Sequence, residues 1–299
     1  MENTLCKEWF DVLSTVAQSK ESLSAEQLHN STGLDEKHLK MVLSELIGSG
    51  YLSDGSITQK GLELLEPYRA KRAILIAAGM GTRLKPITIN TPKPLVRVNG
   101  KRMIDGLIDA CLDAGIDEIH IVRGYLGEQF DQLLIKYPML QFIDNPIYRE
   151  ANTISSVMAA KHLLPGTYLM SADYVVTNPN IIKKYHYTSD CLAFITEKSD
   201  DMCLFTENGI IVDEKIGGEN CWQMVCIFYW NEAEGRMLAE DLSFAYSQPG
   251  GTKIFWSPVA LVQNKGKYSV RIQECQKQDV CEIDTFAELK AIDQSYDCL

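Results

Sequence analysis

The chain has 299 residues, of which 45% are apolar and 23% charged, with a formal net charge of −11. These values exclude the disordered, collagen-like and fibrous classes, and the length predicts two domains of unequal size. No apolar run approaches the ~20 residues of a membrane span, and Glu2, Lys7 and Glu8 at the start do not form a secretion or transit signal, so a soluble, cytoplasmic protein with no membrane partner is expected.

Nine cysteines, at positions 6, 111, 191, 203, 221, 226, 275, 281 and 298, include no Cys-x-x-Cys pair and no histidine at metal-ligand spacing. They read as reduced, mostly buried small residues of a cytosolic chain.

In chain order, apolar residues Trp9, Val12, Leu13 and Val16 recur with helical spacing between Cys6 and about Gln18. Ser24 opens a second helix that turns Leu28 inward, and Gly33 ends it. Asp35 caps a third helix with Leu39, Val42, Leu43 and Leu46 on one face, which stops at Gly48-Ser49-Gly50. Tyr51, Leu52 and Ile57 around Asp54-Gly55 fit a hairpin, and Gly61 to Tyr68 a closing helix. This order resembles a winged helix-turn-helix domain over residues 1–70. Such a domain implies DNA binding, but residues 1–70 hold six Lys/Arg against eleven Asp/Glu (Lys20 among the former), and only Lys37, His38 and Lys40 decorate the third helix. DNA binding needs several cations on the phosphates. Assembly, including homodimerisation, or regulation is therefore the favoured role.

From residue 71 onward short apolar strands alternate with amphipathic helices, the pattern of an α/β domain that fills 71–299. Strands at 73–77, 118–122, 140–143 and 168–171 and helices at 101–114, 127–135 and 152–163 predict a parallel, doubly wound sheet. After Asp190 strands outnumber helices, so the sheet as a whole should be mixed and largely parallel.

The first strand runs into Ala77-Ala78-Gly79-Met80-Gly81-Thr82-Arg83-Leu84-Lys85-Pro86, followed by Thr91-Pro92-Lys93-Pro94-Leu95. The carboxyl end of a first βα unit is where open α/β sheets bind ligands. Gly79 and Gly81 allow backbone N–H groups to approach phosphates closely, Arg83 offers a planar charged fork, and Lys93 a compact charge that can follow an α-phosphate. The loop lacks the Gly-Lys-Ser/Thr ending of a P-loop.

At these residues the chain resembles the nucleotidyltransferase family that includes sugar-phosphate nucleotidylyltransferases and bacterial phosphocholine cytidylyltransferases. The resemblance runs from about Lys71 to the C-terminus and implies a Rossmann-like nucleotidyltransferase domain. It implies that the loop, with Ala77, Ala78, Gly79, Gly81 and Thr82, embraces the nucleoside triphosphate, and that Arg83 and Lys93 are the catalytic cations. Ser171-Ala172-Asp173 looks like the family's metal-binding aspartate motif and Glu282-Ile283-Asp284 is similar to its second one, so Asp173 and Asp284 are the expected ligands of Mg²⁺, which suits hard oxygen donors. Alternation places Glu282 on the same side as Asp284; Asp284 could alternatively cap the last helix.

Resemblance to CTP-using relatives nominates Gly124, Tyr125, Asn152 and Ser155 as nucleotide contacts, against a plainer reading of Asn152 as a helix cap and Tyr125 as core. Trp222, Tyr229, Trp230 and Trp256 offer aromatic faces that a quaternary ammonium could use. The Glu-Ala-Asn-Thr turn, the Tyr229-Trp230-Asn231 stretch and the Glu-Ile-Asp ending resemble those of the phosphocholine cytidylyltransferases, which implies phosphocholine as acceptor. Ile154, where an aromatic residue is expected, and Met202-Cys203, where a tryptophan is, leave phosphoethanolamine or an aminoalkylphosphonate open. The expected reaction is transfer of CMP from CTP to a small phosphorylated substrate. The alternatives are a sugar-1-phosphate nucleotidylyltransferase using UTP or dTTP, and a nucleotide-sensing DNA-binding regulator.

Overall fold

The computed structural model describes residues 5–19 and 21–297; Glu2, Lys20 and Cys298, named above, lie outside them. The chain divides into two units. The first extends to Arg69 and takes in Lys184–Tyr187, and the second comprises Ala70–Lys183 and Thr188–Leu299.

In the first unit α1 (Lys7–Gln18) is followed by α2 (Ala25–Thr32), α3 (Glu36–Gly48), the short strands β1 (Leu52–Ser53) and β2 (Ser56–Ile57), and α4 (Gln59–Leu65). Local chemistry sets each boundary. Ser24 and Gln27 form a reciprocal capping box, Gly33 takes the left-handed conformation that ends α2, and Asp35 accepts from the His38 N–H. Asp54 and Gly55 both have positive φ, as a two-residue hairpin turn requires. Phe10, Leu13, Leu28, Leu39, Val42 and Leu46 bury one face of each helix, together with Tyr185. The cations of α3 are engaged locally: Lys40 pairs with Glu36 and His38 faces Glu8.

The second unit contains β3 (Arg72–Ala77), β4 (Arg97–Val98), β5 (Lys101–Arg102), α5 (Met103–Asp113), β6 (Ile119–Arg123), β7 (Gln141–Asp144), α6 (Thr153–Ala159), β8 (Thr167–Ser171), β9 (Tyr174–Val176), β10 (Asp190–Glu207), β11 (Ile210–Trp230), α7 (Glu232–Ser247), β12 (Arg271–Glu274), β13 (Val280–Glu282) and α8 (Phe286–Ile292). Seven strands form one sheet in the order β10-β12-β11-β8-β3-β6-β7. Strands β8, β3, β6 and β7 are parallel, and β11 joins β8 antiparallel. The sheet is therefore mixed and largely parallel.

Alternate residues of each central strand enter different cores. Ala73, Leu75, Ile121 and Met170 pack with α5, whereas Ile74, Val122, Leu169, Phe228 and Trp230 pack with α6 and α7. Each large side chain so buried contributes about 1.5–3 kcal/mol.

Three expected elements need correction. Residues 127–135 form a 3₁₀ helix that begins after Leu126 in the left-handed conformation. Helix α5 starts at Met103 because Lys101 and Arg102 pair back onto β4 around Asn99 and Gly100, both at positive φ. Helix α6 ends at Ala159, and 161–163 continue as a separate 3₁₀ turn. No helix among the described residues is long and apolar enough to cross a membrane.

Candidate active site

The glycine loop leaves the carboxyl end of β3, whose last turn of pairing places Ile76 beside Ser171 of β8. Ala172 N–H donates to the Ile76 carbonyl, so the loop and Asp173 emerge side by side. The second acidic motif arrives by a different route: β13 pairs antiparallel with β9, Glu282 lying opposite Tyr174, and this register carries Asp284 towards Asp173 although the two are far apart in sequence.

Lys93 joins them. It begins a 3₁₀ turn between Pro92 and Pro94, its side chain is only 9% exposed, and its ammonium donates to Asp173 Oδ2 at 2.6 Å and to Asp284 Oδ1 at 2.8 Å. Burial alone would pull the Lys93 pKa down, but Asp173 and Asp284 outweigh it and hold the group above the ordinary lysine value. Arg83 reaches the same Asp284 oxygen at 2.9 Å while its side chain stays 68% exposed. One cation is thus locked in place and the other is free to meet a ligand on its open side.

Gly81 shows why the loop needs glycine. It has φ +56°, and a Cβ built on it would stand 2.9 Å from Lys93 Cβ and 3.1 Å from Thr88 Cγ2. Thr88, fully buried, donates to the Gly81 carbonyl at 2.7 Å, and its own carbonyl accepts from the Tyr125 hydroxyl at 2.9 Å. A Cβ on Gly79 would meet nothing within 4 Å, so that residue faces open space. Ala77 and Ala78 are buried beneath the loop, and Thr82 is exposed.

The carboxylates fit a divalent cation. Asp173, Glu282 and Asp284 each offer an oxygen, all within 4.8 Å of one another. Asp173 Oδ1 is buried and has no hydrogen-bond partner among the described residues. Burial, together with the charges of Asp173 and Asp284, pushes the Glu282 carboxyl up to about 8, although much of the residue is exposed; Tyr174 donates to its Oε2 at 3.1 Å. Crowded hard oxygens that repel one another are what a cation such as Mg²⁺ relieves. Asp284 is not spent as a helix cap, since Thr285 caps α8 in a box with Glu288.

The remaining nominated residues divide. Gly124 is held against the Tyr148 ring, where a Cβ would come within 2.7 Å, and Tyr125 ties the chain to Thr88 and Ile89. Asn152 caps α6 by accepting from Thr153 N–H and donates to the Lys253 carbonyl. Ser155 is buried between Asn145 and the Asn152 carbonyl. These side chains therefore shape the wall beyond β6 and β7 through bonds within the protein.

Tyr229 and Trp230 are corrected. Both are buried, on opposite faces of β11: Tyr229 packs edge-on to Tyr168, and Trp230 stacks with Phe228 and meets Trp256 and Tyr268. Their large apolar surfaces are worth more inside the two cores than beside a ligand. Trp222 is half-buried on β11 and packs against the same core as Trp230.

Thr88, Tyr148 and Tyr174 were not legible as site residues. Only the adjacency of Tyr174 to Asp173 offered a signal.

A family model described as nucleotidyl transferase matches residues 72–213. A 2-aminoethylphosphonate cytidylyltransferase from Lancefieldella rimae is 35% identical over 75% of this chain and 92% of its own length. A choline-phosphate cytidylyltransferase from Streptococcus pneumoniae is 30% identical over 75% of this chain and 97% of its own. The solved structure of the CTP:phosphocholine cytidylyltransferase from Streptococcus pneumoniae superposes with a TM-score of 0.70 at 26% identity, covering 76% of this chain and 99% of that one.

Proposed function

The chain belongs to the nucleotidyl transferase family, among its cytidylyltransferases, and from that premise we propose that it transfers CMP from CTP to a phosphate or phosphonate oxygen of a small amino-bearing acceptor, phosphocholine or an analogue such as 2-aminoethylphosphonate. The observation that carries this reading is the buried Lys93 ammonium clamped between Asp173 and Asp284, with Arg83 on the same aspartate and the glycine loop alongside.

The acceptor oxygen attacks the α-phosphorus in line, and the bond to the pyrophosphate bridging oxygen breaks. An acceptor phosphate or phosphonate is already anionic near neutral pH, so no base has to remove a proton from it. Lys93 stays charged throughout, because its carboxylate partners hold its pKa up, and its fixed position lets it stabilise charge that grows on the α-phosphate. Arg83 draws the leaving pyrophosphate with its exposed fork. The glycine loop supplies backbone N–H groups close to the phosphates, which a side chain at Gly79 would obstruct. Asp173 and Asp284, with Glu282 beside them, would hold Mg²⁺, which when bound neutralises phosphate charge.

The test is pyrophosphate release by the full chain across CTP, UTP and dTTP, each paired with phosphocholine, 2-aminoethylphosphonate, phosphoethanolamine and sugar 1-phosphates, with and without Mg²⁺. CTP with an amino-bearing acceptor should be the productive pairing, silenced by chelation. Turnover confined to sugar 1-phosphates would refute the reading.

A further inference from the structure

One buried acid has no task in this account. Glu214, on β11, is only 7% exposed; Ser257 Oγ donates to its Oε1 at 3.0 Å, and its Oε2 is buried without a hydrogen-bond partner among the described residues. A buried carboxylate with one oxygen unpaired is an arrangement that folded chains avoid unless something answers it. Burial first, and the neighbouring charge of Asp213 second, push this carboxyl up to about 7. Asp213 is itself paired with Lys215, so no cation of the described residues forms an ion pair with Glu214.

The strand register shows the company Glu214 keeps. Part of β10 lies between two stretches of β11: Leu204 pairs with Glu214 on one side and with Trp222 on the other, and Trp222 pairs in turn with Ile195. Directly opposed residues of antiparallel strands project from the same face. Ile195, Trp222, Leu204 and Glu214 therefore form one row, with the pair Met202 and Ile216 one step along. Ile195, at one end of the row, is 67% exposed while Leu204 and Glu214 are buried, so the row runs from solvent to a buried acid at its other end.

Trp222, Met224 and Cys226 pack against the same core cluster. Further along the strand the Cys226 N–H donates to the Tyr174 hydroxyl at 2.9 Å, and that hydroxyl donates to Glu282 Oε2 at 3.1 Å. The row of Glu214 is thus joined through Trp222 to the stretch of β11 that bonds beside Glu282, without Glu214 belonging to the carboxylate group.

We propose that Glu214 receives the primary ammonium group of the acceptor, and that it makes acceptors bearing N–H bonds preferred over quaternary ammonium ones. This rests on the reading above of a CTP-dependent enzyme with an amino-bearing acceptor. The chemistry follows from the unpaired oxygen. A primary ammonium neutralises the carboxylate and donates to Oε2, whereas a trimethylated nitrogen neutralises it and leaves Oε2 still without a donor. Trp222, in the same row, adds an aromatic ring suited to either cation. A site built to donate or accept a specific hydrogen bond rejects the ligand that cannot make it more strongly than an apolar site rejects an extra methyl.

The experiment uses the full-length protein with CTP and Mg²⁺ and two matched pairs of acceptors: phosphoethanolamine against phosphocholine, and 2-aminoethylphosphonate against its N,N,N-trimethyl derivative. In at least one pair the primary amine should be favoured in kcat/KM by about tenfold or more. Glu214→Gln keeps the volume and the capacity to accept from Ser257; it should raise KM for the primary amine at least about tenfold, shrink the preference, and leave KM for CTP unchanged. Ser257→Ala, which releases Oε1, should move the same ratio in the same direction. If wild-type protein turns over amino-bearing acceptors and both variants keep its KM and its preference, the assignment of Glu214 is overturned and the proposed function stands. If wild-type protein releases pyrophosphate with sugar 1-phosphates alone, the function itself fails, and the assignment with it.

Discussion

Lys40 in the first unit and Lys93 in the second each hold a carboxylate oxygen at 2.6 Å, and the two pairs differ in almost every other respect. The Lys40 side chain is 69% exposed and its partner Glu36 sits one turn earlier on the same helix. That of Lys93 is 9% exposed, and its partners lie 80 and 191 residues further along the chain. An i,i+4 pair in water forms because helix geometry brings the residues together, and solvent screens most of its energy. The Lys93 arrangement exists only when strands β3, β8, β9 and β13 are all in register, and its desolvated charges attract more strongly, at a desolvation cost that makes loss of one partner expensive. Equal bond lengths therefore carry unequal information: one pair reports a helix, the other a site.

That contrast can be broken or sharpened by substitution. The largest effect is expected from Lys93→Ala, which should lower the rate of pyrophosphate release about a thousandfold while circular dichroism retains the α/β signature; a near-normal rate would remove the proposed role. Next comes Gly81→Ala. The added methyl group meets a left-handed backbone and the Lys93 side chain at once, at a cost of about 1–2 kcal/mol, so the thermal midpoint should drop by about 2–6 °C and turnover should fall with it. Gly79→Ala is the control, since its methyl meets no protein atom; it should keep the midpoint and raise KM for the nucleotide. The smallest effect belongs to Lys40→Ala, for which calorimetry should find the midpoint unchanged within about 1 °C and assays should find turnover unchanged. A strong loss of activity there would mean that the exposed pair has a role its geometry does not reveal.

Much of the site could be read from residues alone because its chemistry is written in short segments. Two glycines, an arginine and a Pro-Lys-Pro follow one apolar strand, and the structure brings Arg83, Lys93, Asp173 and Asp284 into a single hydrogen-bonded group. The alternation of strands and helices likewise announced a layered sheet. Long-range packing escaped the reading. Tyr229 and Trp230 carry no local mark that separates a ligand-facing ring from a core one, and only the pairing of β11 with β8 shows them closed inside. Asn152 and Ser155 were recognisable as polar residues at a helix start, but their partners Lys253 and Asn145 come from other parts of the chain. Glu214 was invisible for a related reason: a charged residue in a long hairpin ordinarily faces water, and neither the doubled pairing of Leu204 nor the bond from Ser257 has a signature in composition or spacing.

The segment Lys184–Tyr187 leaves the second unit in mid-chain to complete the first. There His186 N–H donates to the Tyr68 carbonyl at 2.8 Å, and Tyr187 stacks on Tyr68 with ring centroids 5.7 Å apart. A cut at residue 70, which looks like a clean boundary on paper, would strip four residues of their neighbours and leave Tyr185 and Tyr187 as uncovered aromatic rings in the middle of the larger fragment. Expression of either half alone would then require grafting or replacing that short excursion.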